Sequence, residues 1–435
     1  MLKRKMTAYL KNWSERKDKK CLVVQGARQT GKTYVIERFA EENYEEIVEI
    51  NFKQTPSATE IFSEDLTVDN MIMAMRFRFP EKKIMPEKTL IFLDEIQECQ
   101  EAITSLKFWT IDDRYDVIAS GSLLGIDYKR ASSYPVGYVD YQRMYGLDFE
   151  EFLWGMGITD DMIASLRSFL DMKKAIPDSI HNQMMHYYRQ YIATGGMPEV
   201  VQTYVDTKDY REVDSIQRNL LQGYQYDIAH YATAEEKVKA EKCYLTLAKQ
   251  LLDKENHKFQ YKEIEHGARA QKYFSSVEWL LRADMVHLCK RVTDVSYDLD
   301  DYARDDFFRA YTTDLSLLIS MKDFSLKQHI VENTLSGHTK GGLYECAVAD
   351  ALHKKGYPLY FYKNETTKRE LDFIIQKEGQ IVTIEVKSGN TRANSLNAII
   401  KKKKDISYGY KFVDGNIGVG DDGIITLPLY MAAFI

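Results

Sequence analysis

The sequence predicts an α/β fold: a parallel sheet with helices on both faces, then a helical region, then a second, smaller α/β domain. Three observations predict it. A β-branched run leads straight into a glycine-bearing loop at 21–33, a second apolar strand ends in an acidic pair at 89–97, and the carboxyl-terminal part spaces two acids and a lysine along alternating strands.

The first element reads CLVVQGARQTGKT, a strand joined to G-x-x-x-x-G-K-T. Gly26 and Gly31 let the backbone turn tightly, so that successive N–H groups of Gly26, Ala27, Arg28, Gln29, Thr30 and Gly31 can face the phosphates of a nucleoside triphosphate. Lys32 would bridge those phosphates, and Thr33 would offer its hydroxyl to Mg²⁺. Val35, Ile36 and Phe39 then fall at the spacing of an amphipathic helix. The loop thus lies between strand and helix, the context that a P-loop NTPase sheet requires.

The second element, TLIFLDEIQ, supplies the carboxylates that such a loop needs. Asp94 is placed to hold Mg²⁺ and Glu95 to orient and polarise the attacking water, since catalysis of phosphoryl transfer is largely positioning and charge compensation. A third strand is expected within 115–125. Ser120 at its carboxyl end would reach the γ-phosphate or the water, because ligands of open α/β sheets bind beyond the carboxyl ends of the strands. A plain Ser-Gly-Ser turn reads the same way. Arg114, Arg130 and Arg143 are candidates for an arginine finger, and nothing local separates them from surface arginines.

The motifs VVQGARQTGKT, LIFLDEIQ, IASGSLL, YPVGYVDYQRMYGLDFEEFL (134–153), TGGMPEVV (194–201), QGYQYDIAHY (222–231), LDFIIQ and IEVKSG together resemble, in order and spacing, the AAA-type ATPases whose carboxyl-terminal region is the domain of unknown function DUF4143. The resemblance spans nearly the whole chain. It implies an ATPase using ATP and Mg²⁺, and a carboxyl-terminal region related to PD-(D/E)xK nucleases, that is, a restriction-endonuclease-like fold. It supplies no substrate. Tyr138 stands where the family usually carries a basic residue, and Gly146 where it usually carries proline, so no role for a basic side chain in that loop carries over.

At the carboxyl-terminal end, Glu345 lies on an expected helix with Leu343, Ala347, Val348, Ala351 and Leu352 on its apolar positions. Asp372 lies in KRELDFIIQ, and QIVTIEVKSG alternates so that Glu385 and Lys387 share one face. Asp372 and Glu385 would hold a divalent cation with help from Glu345, and Lys387 would stabilise charge or water during phosphodiester cleavage. A half-solvated strand displays the same charges, and a nuclease-like sheet can persist as a binding module.

Between these ends, 182–253 reads as helices interrupted at TGGMPEVV, and 258–292 reads as helix, turn, helix and strand in the order of a winged helix, with Arg269, Gln271 and Lys272 facing outward. A protein-interaction or structural winged helix fits equally. The expected domains are 1–155, 156–310 and 311–435, with DUF4143 covering roughly the last two.

Composition bounds the partners. The chain has 435 residues, 44% hydrophobic and 29% charged, with net charge −6. That balance argues against indiscriminate nucleic-acid binding by the whole surface, so contact with DNA must come from patches. Two are visible: Lys3, Arg4, Lys5, Lys11, Arg16, Lys17, Lys19 and Lys20 at the start, and the lysines at 401–404. The five cysteines, Cys21, Cys99, Cys243, Cys289 and Cys346, lack C-x-x-C pairing and read as buried thiols. No apolar run suggests a membrane span or signal peptide, which suits the cytoplasm. ATP is the expected ligand. DNA, a protein partner or a second copy remain candidate partners. The functional reading is an ATPase whose nucleotide state controls the carboxyl-terminal module; a metal-dependent DNA nuclease gated by ATP and a non-hydrolysing nucleotide-sensing scaffold are the alternatives.

Overall fold

A computed structural model describes the chain except for residues 1, 123–134, 254–257, 365, 368, 390–391, 404–405, 407 and 421–422. It divides into two compact units, one comprising 3–145 with 282–284, the other 146–281 and 285–435 with Leu2.

The first unit is built on five parallel strands: β1 (Cys21–Gln25), β2 (Glu46–Asn51), β3 (Thr89–Asp94), β4 (Asp116–Gly121) and β5 (Val139–Arg143), in the order β2-β3-β4-β1-β5. This is the P-loop NTPase sheet that the two motifs predict. Its strands are apolar on both sides because both sides are covered. Val23, Ile50, Ile91, Leu93 and Val117 pack on one face with Met71, Met75, Leu106 and Trp109 from the helices Val68–Arg78 and Gln100–Asp112. Leu22, Val24, Leu90, Phe92 and Ile118 pack on the other with Leu10 and Trp13 from the helix Lys5–Ser14 and with Val35, Ile36 and Phe39 from the helix Lys32–Asn43.

The second unit joins a helical part to a mixed sheet. Its strands are β6 (Val286–Val292), β7 (Ala303–Thr312), β8 (Leu359–Lys363), β9 (Glu370–Lys377), β10 (Gln380–Val386), β11 (Gly409–Val413), β12 (Gly418–Val419) and β13 (Ile424–Pro428), in the order β12-β13-β11-β10-β9-β8-β6-β7. The helix Ala270–Arg282 forms as expected, with Arg269, Gln271 and Lys272 exposed. The strand after it does not stand alone with a hairpin partner. β6 pairs in parallel with β8 and antiparallel with β7, so it is an interior strand of the carboxyl-terminal sheet. The expected boundary at 310–311 likewise falls inside β7, because β6 and β7 need the later strands to bury their faces.

The TGGMPEVV segment is a fixed turn, as its glycines suggest. Gly195 has φ +75°, and a Cβ on Gly196 would lie 2.1 Å from the Leu147 carbonyl oxygen. The Gly196 amide donates to Asp314 at 2.9 Å. Beside it Lys354 Nζ reaches Asp314 at 2.7 Å, Asp350 at 3.0 Å and the Tyr191 hydroxyl at 3.0 Å, all buried. Such a charge cluster is tolerated inside a core because every member is paired.

Candidate nucleotide site

The P-loop leaves the carboxyl end of β1 at Gly26, where a Cβ would meet the Met144 carbonyl oxygen at 2.0 Å. Only glycine fits. Gly31 has φ +86° and immediately precedes the helix that begins at Lys32, so the helix N-terminus faces the loop. Arg4 fixes the loop from behind: its guanidinium donates to the Thr30 carbonyl at 2.9 Å and to the Tyr145 carbonyl at 2.7 Å. That buried role removes Arg4 from the amino-terminal basic patch. Lys19 and Arg16 are also engaged, with Asp116 at 3.1 Å and Asp140 at 3.6 Å.

Lys32 is buried, and its ammonium donates to the carbonyls of Gly26 at 3.0 Å and Ala27 at 2.8 Å. Burial lowers its pKa, and the carboxylates of Glu95, Asp94 and Asp284 work against that shift. Asp94, at the end of β3, is the hub. It accepts from the Thr33 hydroxyl at 3.0 Å, from the Asn51 amide at 2.8 Å, from the Glu95 backbone N–H at 3.0 Å and from the Ser120 hydroxyl. Thr33 and Asp94 are therefore brought together, and the pair of a hydroxyl and a carboxylate oxygen is the hard donor set that Mg²⁺ prefers. They are the residues that would hold it.

Ser120 is fully buried and bonded to Asp94. The hydroxyl expected to reach the γ-phosphate or water is here engaged with Asp94. Glu95 sits in a left-handed turn at φ +52°, which swings it off the end of β3, and Gln97 donates to its carboxylate. Sequence reasoning missed Asn51, Gln97 and Arg4. Asn51 had a signal, a polar residue closing an apolar strand beside the Asp94 strand, with which it is in register.

Of the arginine candidates, Arg114 precedes the amino end of β4, at the opposite edge of the parallel sheet from the P-loop, and pairs with Asp112 and Asp69 on the surface. Arg130 lies outside the described residues. Arg143 ends β5 in register with Gln25, on the P-loop edge, and forms an ion pair with Asp284. Asp284 is buried and also takes a backbone hydrogen bond from Ala27. Burial raises its pKa, against the pull of Arg143 and Lys32. No sequence pattern announced it.

The four carboxyl-terminal candidates meet around a cavity of about 370 Å³. They do not form a ligand sphere. Among the described residues, no three His, Cys, Asp or Glu side chains are grouped to hold a metal ion. Glu345 accepts from Arg309 at 2.6 Å and from the Tyr311 hydroxyl at 2.6 Å; Glu385 is paired with Lys387 at 2.7 Å; Asp372 accepts from the Val386 N–H at 2.8 Å. Glu345, Asp372 and Glu385, the expected metal ligands, thus line one cavity with Lys387, and ion pairs to Arg309 and Lys387 engage Glu345 and Glu385. Of the lysine run, Lys403 is paired with Asp294 at 2.6 Å, and Lys404 lies outside the described residues.

These arrangements fit what comparison with known families finds. Residues 18–153 match the family described as AAA domain (AAA_14). The amino-terminal unit carries an AAA domain. Residues 340–431 match the domain of unknown function DUF4143, and 185–328 match a different one, DUF8612, so DUF4143 covers less of the chain than the resemblance implied. No curated protein matches. Solved structures similar to the chain include AMPPCP-bound DnaA from Aquifex aeolicus, at 10% identity and TM-score 0.29, covering 63% of this chain and 86% of that one. Others are Cdc6p from Pyrobaculum aerophilum (12%, TM-score 0.25) and the Aeropyrum pernix ORC1 protein in complex with DNA (12%, TM-score 0.26), each covering 76% of this chain and 93% of its own. Among the described residues, no helix is long and apolar enough to cross a membrane.

Proposed function

We propose that the protein is a Mg²⁺-dependent ATPase whose nucleotide state controls its carboxyl-terminal module. The observation that carries this reading is the Asp94 cluster, where Thr33 lies 3.0 Å from a carboxylate held by three further donors, next to the P-loop lysine. The backbone of 26–31 would bind the phosphates, and Lys32 would exchange its carbonyl partners for phosphate oxygens. Mg²⁺, when bound, supplies charge compensation between them. Glu95, steadied by Gln97, orients a water for attack and takes up its proton. Ser120 and Asn51 keep Asp94 from rotating. Catalysis of this type rests on preorganised groups rather than on covalent chemistry.

Asp284 supports the control half of the reading. Its carboxylate meets Ala27 and faces Lys32, where phosphate oxygens would compete for the same donors, and in the chain it continues the helix Ala270–Arg282 and leads into β6. Arriving nucleotide would therefore shift a segment continuous with the second unit. The test is phosphate release by the purified full chain, with and without DNA, alongside Lys32→Ala and Glu95→Gln. Both variants should lose release. Release unchanged in both would sink the proposal, and tight nucleotide binding without turnover would favour the sensing scaffold.

A further inference from the structure

The carboxyl-terminal cavity presents an arginine that the nuclease pattern does not contain. Arg309 projects from β7, is 2% exposed, and lies over the Phe361 ring at 4.5 Å. One of its terminal nitrogens donates to Glu345 at 2.6 Å and lies 4.0 Å from an Asp372 carboxylate oxygen; the other donates to Glu370 at 2.5 Å. We propose that the Arg309 guanidinium is the resident cation of this site, taking the place of a divalent metal, and that the site works without metal.

Coordination geometry supports this. Mg²⁺ needs oxygen ligands at about 2.0–2.1 Å in near-octahedral array. Here one Glu345 oxygen already carries two short hydrogen bonds, from Arg309 and Tyr311. To admit an ion on Glu345, the buried guanidinium would have to leave its carboxylates, and an uncompensated buried charge is costly. Charge supports it too. The acids Glu345, Glu370, Asp372 and Glu385 face Arg309, Lys363 and Lys387, with Lys363 on Glu370 at 2.8 Å and Lys387 on Glu385 at 2.7 Å. Four carboxylates against three cations leave at most one negative charge, a weak attraction for a dication. The Arg309 pKa follows the same balance: burial pulls it down, and the carboxylates together raise it above its ordinary value, so it stays charged.

Mn²⁺ titration of the nucleotide-free full chain, followed by calorimetry and by electron paramagnetic resonance, tests the assignment. Wild type should show no saturable Mn²⁺ binding that Asp372→Asn removes. Arg309→Met keeps much of the side-chain bulk, deletes the charge, and should gain one equivalent of bound Mn²⁺. Wild-type binding that Asp372→Asn abolishes would overturn the proposal. So would an Arg309→Met protein with a native near-ultraviolet circular dichroism spectrum that binds none. If Arg309→Met fails to fold, the comparison of wild type with Asp372→Asn decides alone.

Discussion

Asp94 and Glu345 are both buried acids in clusters of hydrogen bonds, yet their surroundings prepare them for opposite tasks. Around Asp94 the donors are neutral: a threonine hydroxyl, a serine hydroxyl, an asparagine amide and a backbone N–H. They fix the carboxylate and leave its charge available to an incoming cation. Around Glu345 the principal donor is a guanidinium, which orients the acid and cancels it in the same contact. A carboxylate aimed by dipoles can recruit a metal; one aimed by a full positive charge cannot.

Chelation should separate the two regions most sharply. EDTA is expected to abolish ATP-dependent phosphate release, and Glu95→Gln to reduce it by about 10²–10⁴-fold, the range for removal of a general base, while the unfolding temperature of nucleotide-free protein stays unchanged by chelator. A drop in that temperature with EDTA would mean that a structural metal had been overlooked. Next in size, Arg309→Ala should destabilise the second unit by about 3–5 kcal/mol in chemical denaturation, because it strands buried carboxylates. A loss under 1 kcal/mol would show that the buried carboxylates do not depend on the Arg309 charge.

The buried Asp350 gives a smaller, pH-dependent effect. Burial first, with Asp314 adding to it and Lys354 opposing it, leaves its pKa at about 6, against an ordinary 3.8. Between those values the native state holds a proton that the unfolded chain has released, so stability falls as pH rises from about 4 to about 6 and then levels. Asp350→Asn should flatten that limb relative to wild type, by on the order of 1–3 kcal/mol, measured as denaturant midpoints across pH. A parallel pair of curves would refute it. The smallest change is expected for Asn51→Ala, about 1 kcal/mol of stability for one hydrogen bond, with turnover reduced because Asp94 is less firmly aimed. Turnover equal to wild type would show that Asn51 does not aim it.

The comparison also explains what the sequence made legible. P-loop chemistry sits on consecutive residues, so Gly26, Gly31, Lys32 and Thr33 were readable together, and an apolar strand ending in two acids marked Asp94 and Glu95. The partners that decide how those acids behave come from other strands. Asn51 lies 43 residues from Asp94 and Arg309 lies 36 from Glu345, and no local periodicity reports such a meeting. The acidic pattern at 372–387 was visible, but the charge that fills it was not. Arg309 did leave a trace: it interrupts FFRAY, a run too apolar for a solvated strand, and an arginine there must be paired inside. The strand after Arg282 shows the same limit: its antiparallel partner β7 is local, but its other neighbour, β8, lies some seventy residues later, and no local pattern reports that pairing.

That placement of β6 and β7 bears on any attempt to study the carboxyl-terminal domain by itself. A fragment starting at residue 311 would discard β6 and most of β7, leaving β8 as a raw sheet margin ready to pair with other molecules. It would also discard Arg309. Metal uptake or cleavage by such a truncated piece would then report an artificial vacancy, and only polypeptide that retains both strands can speak for the intact molecule.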